Sequence, residues 1–282
     1  MTSDASDFEP HRSFLAGLAY RMLGSIAEAQ DIVQDAFLRW REVAHLGIDE
    51  PRAYLARVVS RLCLDHMKSA RHRREEYVGM WLPEPIIAEP AQALAEDLSV
   101  ALLLALERLS PLERAAFLLH DVFDMDYADV AKAIDRTEPA CRQLAARARE
   151  HVRDDRQRYE PREDQARRLA DAFVTAAATG DVDALAALLA DEAVLYTDGG
   201  GKRLAALRPI IGKARILRFC EGIRARRGAG ALQRVESAML NGLPGFVFHT
   251  DEGIETLAFD VAQGKIVAIY GVRNPDKLRH FS

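Results

Sequence analysis

Residues 126–152 read DYADVAKAIDRTEPACRQLAARAREHV, and this stretch decides how the first half of the chain folds. Two amphipathic runs, Asp126–Ile134 and Thr137–Val152, are separated only by Asp135 and Arg136. In the first run Val130 and Ala131 are expected to point inward, with Ile134 plugging the corner. Asp135 stands where a left-handed residue is needed, and aspartate tolerates that conformation better than most. Thr137 can cap the following helix, whose first turn accommodates Pro139. On that helix Cys141, Leu144, Ala145, Ala148 and Val152 share a broad apolar face, while Arg142, Gln143, Ala146 and Arg149 point away and Arg147 lies at the margin. The pattern predicts a helix-turn-helix. Arginine and glutamine early in its second helix suit base edges in a major groove, and arginines further along suit phosphates. The same face on an ordinary bundle helix would simply be solvated; the two-residue corner favours the DNA reading.

Working outward, a second cationic stretch lies upstream. Residues 52–74 hold seven Arg or Lys against one acid, and residues 136–158 hold seven Arg against four acids. Between them residues 84–97 carry four acids and no base. The net charge of −5 therefore hides two local cationic regions, and local excess is what attracts phosphates. Residues 11–44 and 51–74 have helical periodicity. Arg57, Arg61 and Lys68 fall in one sector of the second helix, followed by Arg71, Arg73 and Arg74. Pro83, Pro85 and Pro90 break any helix across 79–98, a linker too apolar to float free. Helices at 99–108 and 111–119 precede the helix-turn-helix, the latter capped by Ser110. From 163 the character changes. Two helices, an apolar run at 193–196, a helix at 213–226 and strand-like runs at 232–240, 245–250, 253–261 and 265–272 indicate an α+β domain with an antiparallel meander. Asn241–Gly242 and Gln263–Gly264 supply hairpin turns.

The 282 residues contain no apolar run of the ~18 that a membrane helix needs, and the polar, acidic start is no secretory signal. Cys63, Cys141 and Cys220 have no metal or redox spacing and read as reduced core thiols, which fits a cytoplasmic protein. No cofactor or metal is implied.

Two basic helices on separate small domains, joined by a non-helical linker, resemble the extracytoplasmic-function sigma factors of bacterial RNA polymerase. AEAQDIVQDAFLRWRE (27–42) is similar to their region 2 polymerase-docking helix, which places Asp31, Gln34, Asp35, Phe37 and Trp40 toward polymerase. Residues 53–74 resemble the −10 recognition segment, with His45–Glu50 matching the loop that captures a flipped base. Residues 127–150 resemble the region 4 reader of the −35 element, with Arg142, Gln143, Ala146 and Arg147 at base-reading positions and Arg149 beyond them. The resemblance implies a non-enzymatic initiation factor whose partners are promoter DNA and the clamp and flap regions of the polymerase core. The expected organisation is multidomain: an all-α region 2 bundle over 1–78, a linker over 79–98, a region 4 helix-turn-helix over 99–158, and an α+β domain over 159–282.

YTDGGGK (196–202) lacks phosphate-loop spacing, so it is not a nucleotide site. WLPEP (81–85), DGGGK (198–202) and NPDKL (274–278) together resemble the sigma factors that carry a C-terminal SnoaL-like domain, which implies an α+β SnoaL-like cone over 159–282. A glycine run permits close approach of backbone to another surface. The expectation is that Asp198, Gly199, Gly200, Gly201, Lys202, Asn274, Pro275, Asp276 and Lys277 dock on the linker at Trp81, Leu82 and Pro83 and on the sigma domains, replacing a separate anti-sigma protein. Tyr196, Asp198, His249, Asp251 and Tyr270 are conceivable pocket groups, although no spacing assigns them roles. An operator-binding regulator would leave Asp31–Trp40 unexplained. An isomerase-like enzyme would require turnover by residues 160–282.

Overall fold

A computed structural model describes residues 7–43, 48–75, 77–87, 100–156, 163–227 and 232–281. The chain forms two compact units, Met1–Glu76 with Ala101–Gln157, and Tyr77–Val100 with Arg158–Ser282. The two helical regions thus share one unit, and the chain between them falls in the other.

The first unit is built from α1 (Arg12–Leu23), α2 (Ile26–Val43), α3 (Pro51–Glu75), α4 (Val100–Glu107), α5 (Pro111–Phe117), α6 (Tyr127–Ile134) and α7 (Glu138–Arg156). The continuous helix expected over 11–44 is broken at Gly24, whose φ of 71° ends α1 in a left-handed cap. Ser110 and Glu113 form a reciprocal capping box on α5. Asp135 takes the left-handed conformation at φ 54°, and the Thr137 hydroxyl accepts from the Ala140 amide. The corner buries Val130, Ala133 and Ile134, the i, i+3 and i+4 positions of one face; Ala131 is only half-buried, because it falls on the flank of that face.

The helical regions are stitched by a buried cation. Arg114 of α5, 1% exposed, donates to the Met22 carbonyl near the end of α1 at 2.6 Å and pairs with Glu107 at 2.8 Å. Carbonyls at a helix C-terminus lack intrahelical donors, so a guanidinium there satisfies both. Phe14 meets Phe123 edge-on at 5.0 Å, and Arg61 of α3 donates to the Lys132 carbonyl of α6 at 3.3 Å.

The second unit contains α8 (Glu163–Thr179), α9 (Val182–Leu188), β1 (Leu189–Asp198), β2 (Ile210–Ile211), α10 (Lys213–Arg227), β3 (Leu232–Leu240), β4 (Leu243–Thr250), β5 (Gly253–Ala262) and β6 (Lys265–Val272). The strands form one sheet in the order β2-β1-β6-β5-β4-β3. β3 to β6 make the expected antiparallel meander, and both expected turns carry two positive-φ residues, Asn241–Gly242 and Gln263–Gly264. β1 pairs parallel with β6, Thr197 opposite Gly271 and Asp198 opposite Val272, so two chain-remote strand ends finish side by side. Phe173 of α8 packs on Phe259, with ring centroids 5.2 Å apart, in a core that also takes Leu185, Leu195, Ile216 and Ile269.

A β-branched residue at Asp135 would pay the left-handed penalty in full. Asp135→Ile is expected to cost about 1–2 kcal/mol, raising hydrogen exchange of the α6 and α7 amides roughly 5–30-fold. Asp135→Gly should leave exchange unchanged or slower.

Candidate functional site

The exposed face of α7 carries Arg142, Gln143, Ala146 and Arg147, opposite buried Cys141, Ala145, Ala148 and Val152. Arg142 reaches Glu138 at 3.1 Å and lies over the Tyr127 ring at 5.0 Å. Exposed pairs of this kind contribute only about 0.3–0.5 kcal/mol, so the guanidinium is held in place yet exchangeable. Arg149 is different. It donates to Asp121 at 2.6 Å and to the Tyr127 hydroxyl at 3.0 Å, pinning the turn after α5 onto α7. In this structure it braces the segment after α5 against α7 while its side chain stays partly exposed.

On α3, Arg57 lies over Tyr54 at 5.1 Å, Arg61 is exposed and reaches α6, and Lys68 pairs with Asp65 at 2.9 Å. The side chains of Arg71, Arg73 and Arg74 and residues 45–47 of the expected base-capturing loop lie outside the described residues. On α2, Asp31, Gln34 and Asp35 are exposed on one face. Leu38, 47% exposed, completes that face, as its i+3, i+4, i+7 spacing could have signalled. Phe37 is half-buried against Phe8 at 5.1 Å. Trp40 is 2% exposed and packs near Tyr54, so it is core rather than docking surface.

The most constrained polar site lies in the second unit. Asp198, at the end of β1, is completely buried. Its carboxylate accepts from the Tyr77 hydroxyl at 2.5 Å, the Leu82 amide at 2.9 Å, the Gly200 amide at 3.0 Å and the Lys277 ammonium at 2.8 Å. Its carbonyl accepts from the Arg273 and Asn274 amides at 2.7 and 3.0 Å. Lys277 also donates to the Leu82 carbonyl and sits 4.0 Å over the Trp81 ring. Asn274 donates to the Tyr77 hydroxyl at 2.9 Å and caps the 3-10 turn Pro275–Lys277. Burial and the adjacent Asp198 carboxylate push the Tyr77 phenol well up, so it remains a donor. Gly200, at φ 60°, lies so close to Asn274 that an added Cβ would sit 2.3 Å from the side-chain amide. Gly199 is equally constrained, a Cβ there meeting the Arg203 carbonyl at 2.1 Å. Lys202 and Asp276 pair at the surface, and Pro275 is exposed. Leu82 and Pro83 are buried; Leu82, at 1% exposure, adds ~2 kcal/mol of apolar burial.

Tyr77, outside the expected linker bounds, was not among the sequence-derived residues. Asn241, expected only as a turn residue, exchanges hydrogen bonds with Ile86, and His280, which no motif marked, donates to the Pro85 carbonyl at 2.8 Å.

The expected pocket groups do not line the principal cavity. That cavity, of about 330 Å³, is bounded by α8, α10 and the sheet, with Leu195, Thr197, Phe248, Ile269, Gly271 and Arg273 contributed by strands or their ends. Tyr196 and Tyr270 alternate to the other side and stack at 5.3 Å. His249 meets Glu236 at 2.7 Å, and Asp251 sits in an exposed turn. Cys220 lines the cavity and is only half-buried, unlike Cys63 and Cys141. Among the described residues no cluster of His, Cys, Asp or Glu could hold a metal ion, and no helix is long and apolar enough to cross a membrane.

Comparisons with known proteins agree with both units. Sigma-70 region 2 matches residues 8–73, and sigma-70 region 4 matches residues 99–152. The chain is 38% identical, over 97% of its length and 93% of the relative's, to the ECF RNA polymerase sigma factor SigJ of Mycobacterium tuberculosis. It is 40% identical over 64% of both chains to the probable ECF sigma factor SigI of the same species. The crystal structure of M. tuberculosis SigJ superposes with a TM-score of 0.81 at 36% identity, covering 98% of each chain.

Removing one partner of a buried ion pair leaves the other uncompensated, at a cost of about 3–5 kcal/mol. Asp198→Asn and Lys277→Met are each expected to detach the 77–87 segment. In a Trp40→Phe background this reads as a red shift of Trp81 emission. The double variant should recover part of the loss; equal spectra for all variants would show that the pair does not hold the segment.

Proposed function

The chain belongs to the extracytoplasmic-function RNA polymerase sigma factors, and we propose that it carries the polymerase core to −10 and −35 promoter elements under the control of its own C-terminal domain. Its site of action is then the cytoplasm. Region 4 reads the −35 element through Arg142, Gln143, Ala146 and Arg147, whose side chains share the solvent face of α7. Region 2 engages the −10 element through α3. Asp31, Gln34, Asp35 and Leu38 form the docking face for the polymerase clamp, and region 4 meets the flap. Polymerase supplies the bond-making chemistry, and we assign no turnover to the C-terminal domain. The acid that lines its cavity, Glu255, is already paired with Arg273 at 2.7 Å.

The observation that carries control in cis is the Asp198 anchor. Regulation by a separate anti-sigma protein becomes unnecessary if the linker is held by the same chain. Residues 77–87 are fixed to the sheet by a buried carboxylate, a buried ammonium and the Ile86–Asn241 pair. Released, those residues could extend to ~36–40 Å. Such a change in reach alters the distance at which the two DNA-reading regions can act.

Run-off transcription with purified core separates these statements. Arg142→Ala and Gln143→Ala should each cost about 1–3 kcal/mol of −35 discrimination, roughly 5- to 150-fold, while promoters differing only at −35 become equivalent. Gly200→Ala should change the yield. Gly222→Ala, where an added Cβ meets nothing within 4 Å, should not. Equal yields from both glycine variants would refute control in cis while leaving the sigma assignment intact.

A further inference from the structure

The 330 Å³ cavity takes no part in anchoring the linker, yet it is walled by the same strands. Its walls are Phe173, Leu195, Phe219, Phe248, Leu257 and Ile269, together with smaller residues. A cavity of about 150 Å³ with comparable lining accepts benzene, so this one has room for two to three rings. Leu204, 62% exposed, and the exposed Arg224 also line it, which places the opening between the 203–207 segment and α10.

Apart from Arg224 at the mouth, the charged groups of the lining are committed. Arg273 donates to Glu255 at 2.7 and 2.9 Å, to Glu252 at 3.1 Å and to the Leu204 carbonyl. The Thr197 hydroxyl accepts from the Ala206 amide at 2.8 Å. Burial pushes the Cys220 thiol up to about 11, so it is neutral at physiological pH. A ligand charge carried deep inside would therefore lose its hydration without gaining an uncommitted counter-charge, which is costly. An uncharged apolar body loses nothing comparable and gains burial throughout.

We propose that the C-terminal domain is a receptor for an uncharged, largely apolar small molecule of two to three rings, and that occupancy of the cavity loosens the Asp198 anchor. The second statement rests on the functional reading above. The connection is short. Thr197 lines the cavity and Asp198 is the anchor; Arg273 lines the cavity and Asn274 binds Tyr77. Leu204 and Ala205 border the cavity two and three residues after Lys202, which pairs with Asp276. A ligand that displaces the 203–207 segment must break the Arg273–Leu204 contact and disturb the strand ends from which the anchor is built.

The probe is N-phenyl-1-naphthylamine, uncharged and three-ringed, added to the purified full-length chain without polymerase. Its fluorescence should rise saturably at one molecule per chain. Ala177→Phe, which places a ring in the cavity from α8, should weaken binding at least ~tenfold at unchanged melting temperature and far-ultraviolet dichroism. An independent measurement is the reaction of Cys220 with a neutral maleimide, followed by peptide mapping, which the probe should slow severalfold. Absence of saturable binding, binding that survives in folded Ala177→Phe, or unprotected Cys220 each overturns the site. Hydrogen exchange of the Leu82 and Ile86 amides should quicken severalfold when the probe is bound. Unchanged exchange with demonstrated binding overturns the coupling alone, and neither result depends on transcription.

Discussion

A carboxylate removed entirely from water must be answered by the chain itself, and the second unit is arranged around that requirement at Asp198. Desolvating such an ion costs several kcal/mol. The compensating donors come from Tyr77 and Leu82, from Gly200 in the loop that follows Asp198 itself, and from Lys277 near the chain's end. Each is tied to a feature of its own stretch. Pro83 and Pro85 favour the extended chain in which the Leu82 amide is free to donate outward. Gly200 gives its amide to the carboxylate in a conformation and a space that exclude a side chain. The turn capped by Asn274 aims Lys277 inward, where its ammonium also meets the Trp81 face. The path of the linker is therefore dictated by one charge.

The parallel β1–β6 pairing makes this possible and links it to the cavity. Strand residues alternate between faces. Leu195 and Thr197 on β1, with Ile269, Gly271 and Arg273 on and just after β6, face the cavity. Tyr196 and Asp198, with Tyr270, Val272 and Asn274, belong to the other side, where Leu82, Pro83 and Pro85 pack. Cavity and linker are thus separated by the thickness of one sheet. A displacement of either strand end is felt on both faces, because packed interiors transmit strain rather than absorb it.

Local rules made much of this legible. The helix-turn-helix was readable because its corner is set by two residues with definite chemistry, Asp135 and the capping Thr137. The meander was readable because Asn241–Gly242 and Gln263–Gly264 permit only tight turns. The glycine run and the NPDKL tail signalled close approach but not the partner that completes it. Tyr77 carries no local pattern, and its role exists only because the ends of β1 and β6 bring together Asp198 and Asn274, 121 and 197 residues away. The same long-range pairing turned Tyr196 and Tyr270 away from the cavity. Trp40 read as docking surface from resemblance, but its place on the inner sector of α2 buries it. That Arg149 also meets Asp121 and Tyr127 could not be read from spacing along α7, because both partners are contributed by other elements.

The helical unit shows how an acidic protein keeps its cationic residues usable. Arg142 and Lys68 are paired with nearby acids of their own helices, and Arg61 rests on a backbone carbonyl. Exposed contacts of this strength, at most about 1 kcal/mol, hold long side chains without competing seriously with a base edge at ~1–3 kcal/mol. The buried pairing of Arg114 with Glu107 and the Met22 carbonyl is of another order, since separating it would strand a charge in the interior. Arg114 is thus fixed by burial, whereas Arg142, Lys68 and Arg61 lie in shallow, exchangeable contacts. What differs among these cations is therefore the resting partner: an exposed acid of its own helix for Arg142, a single backbone carbonyl for Arg61, and two partners from other elements for Arg149.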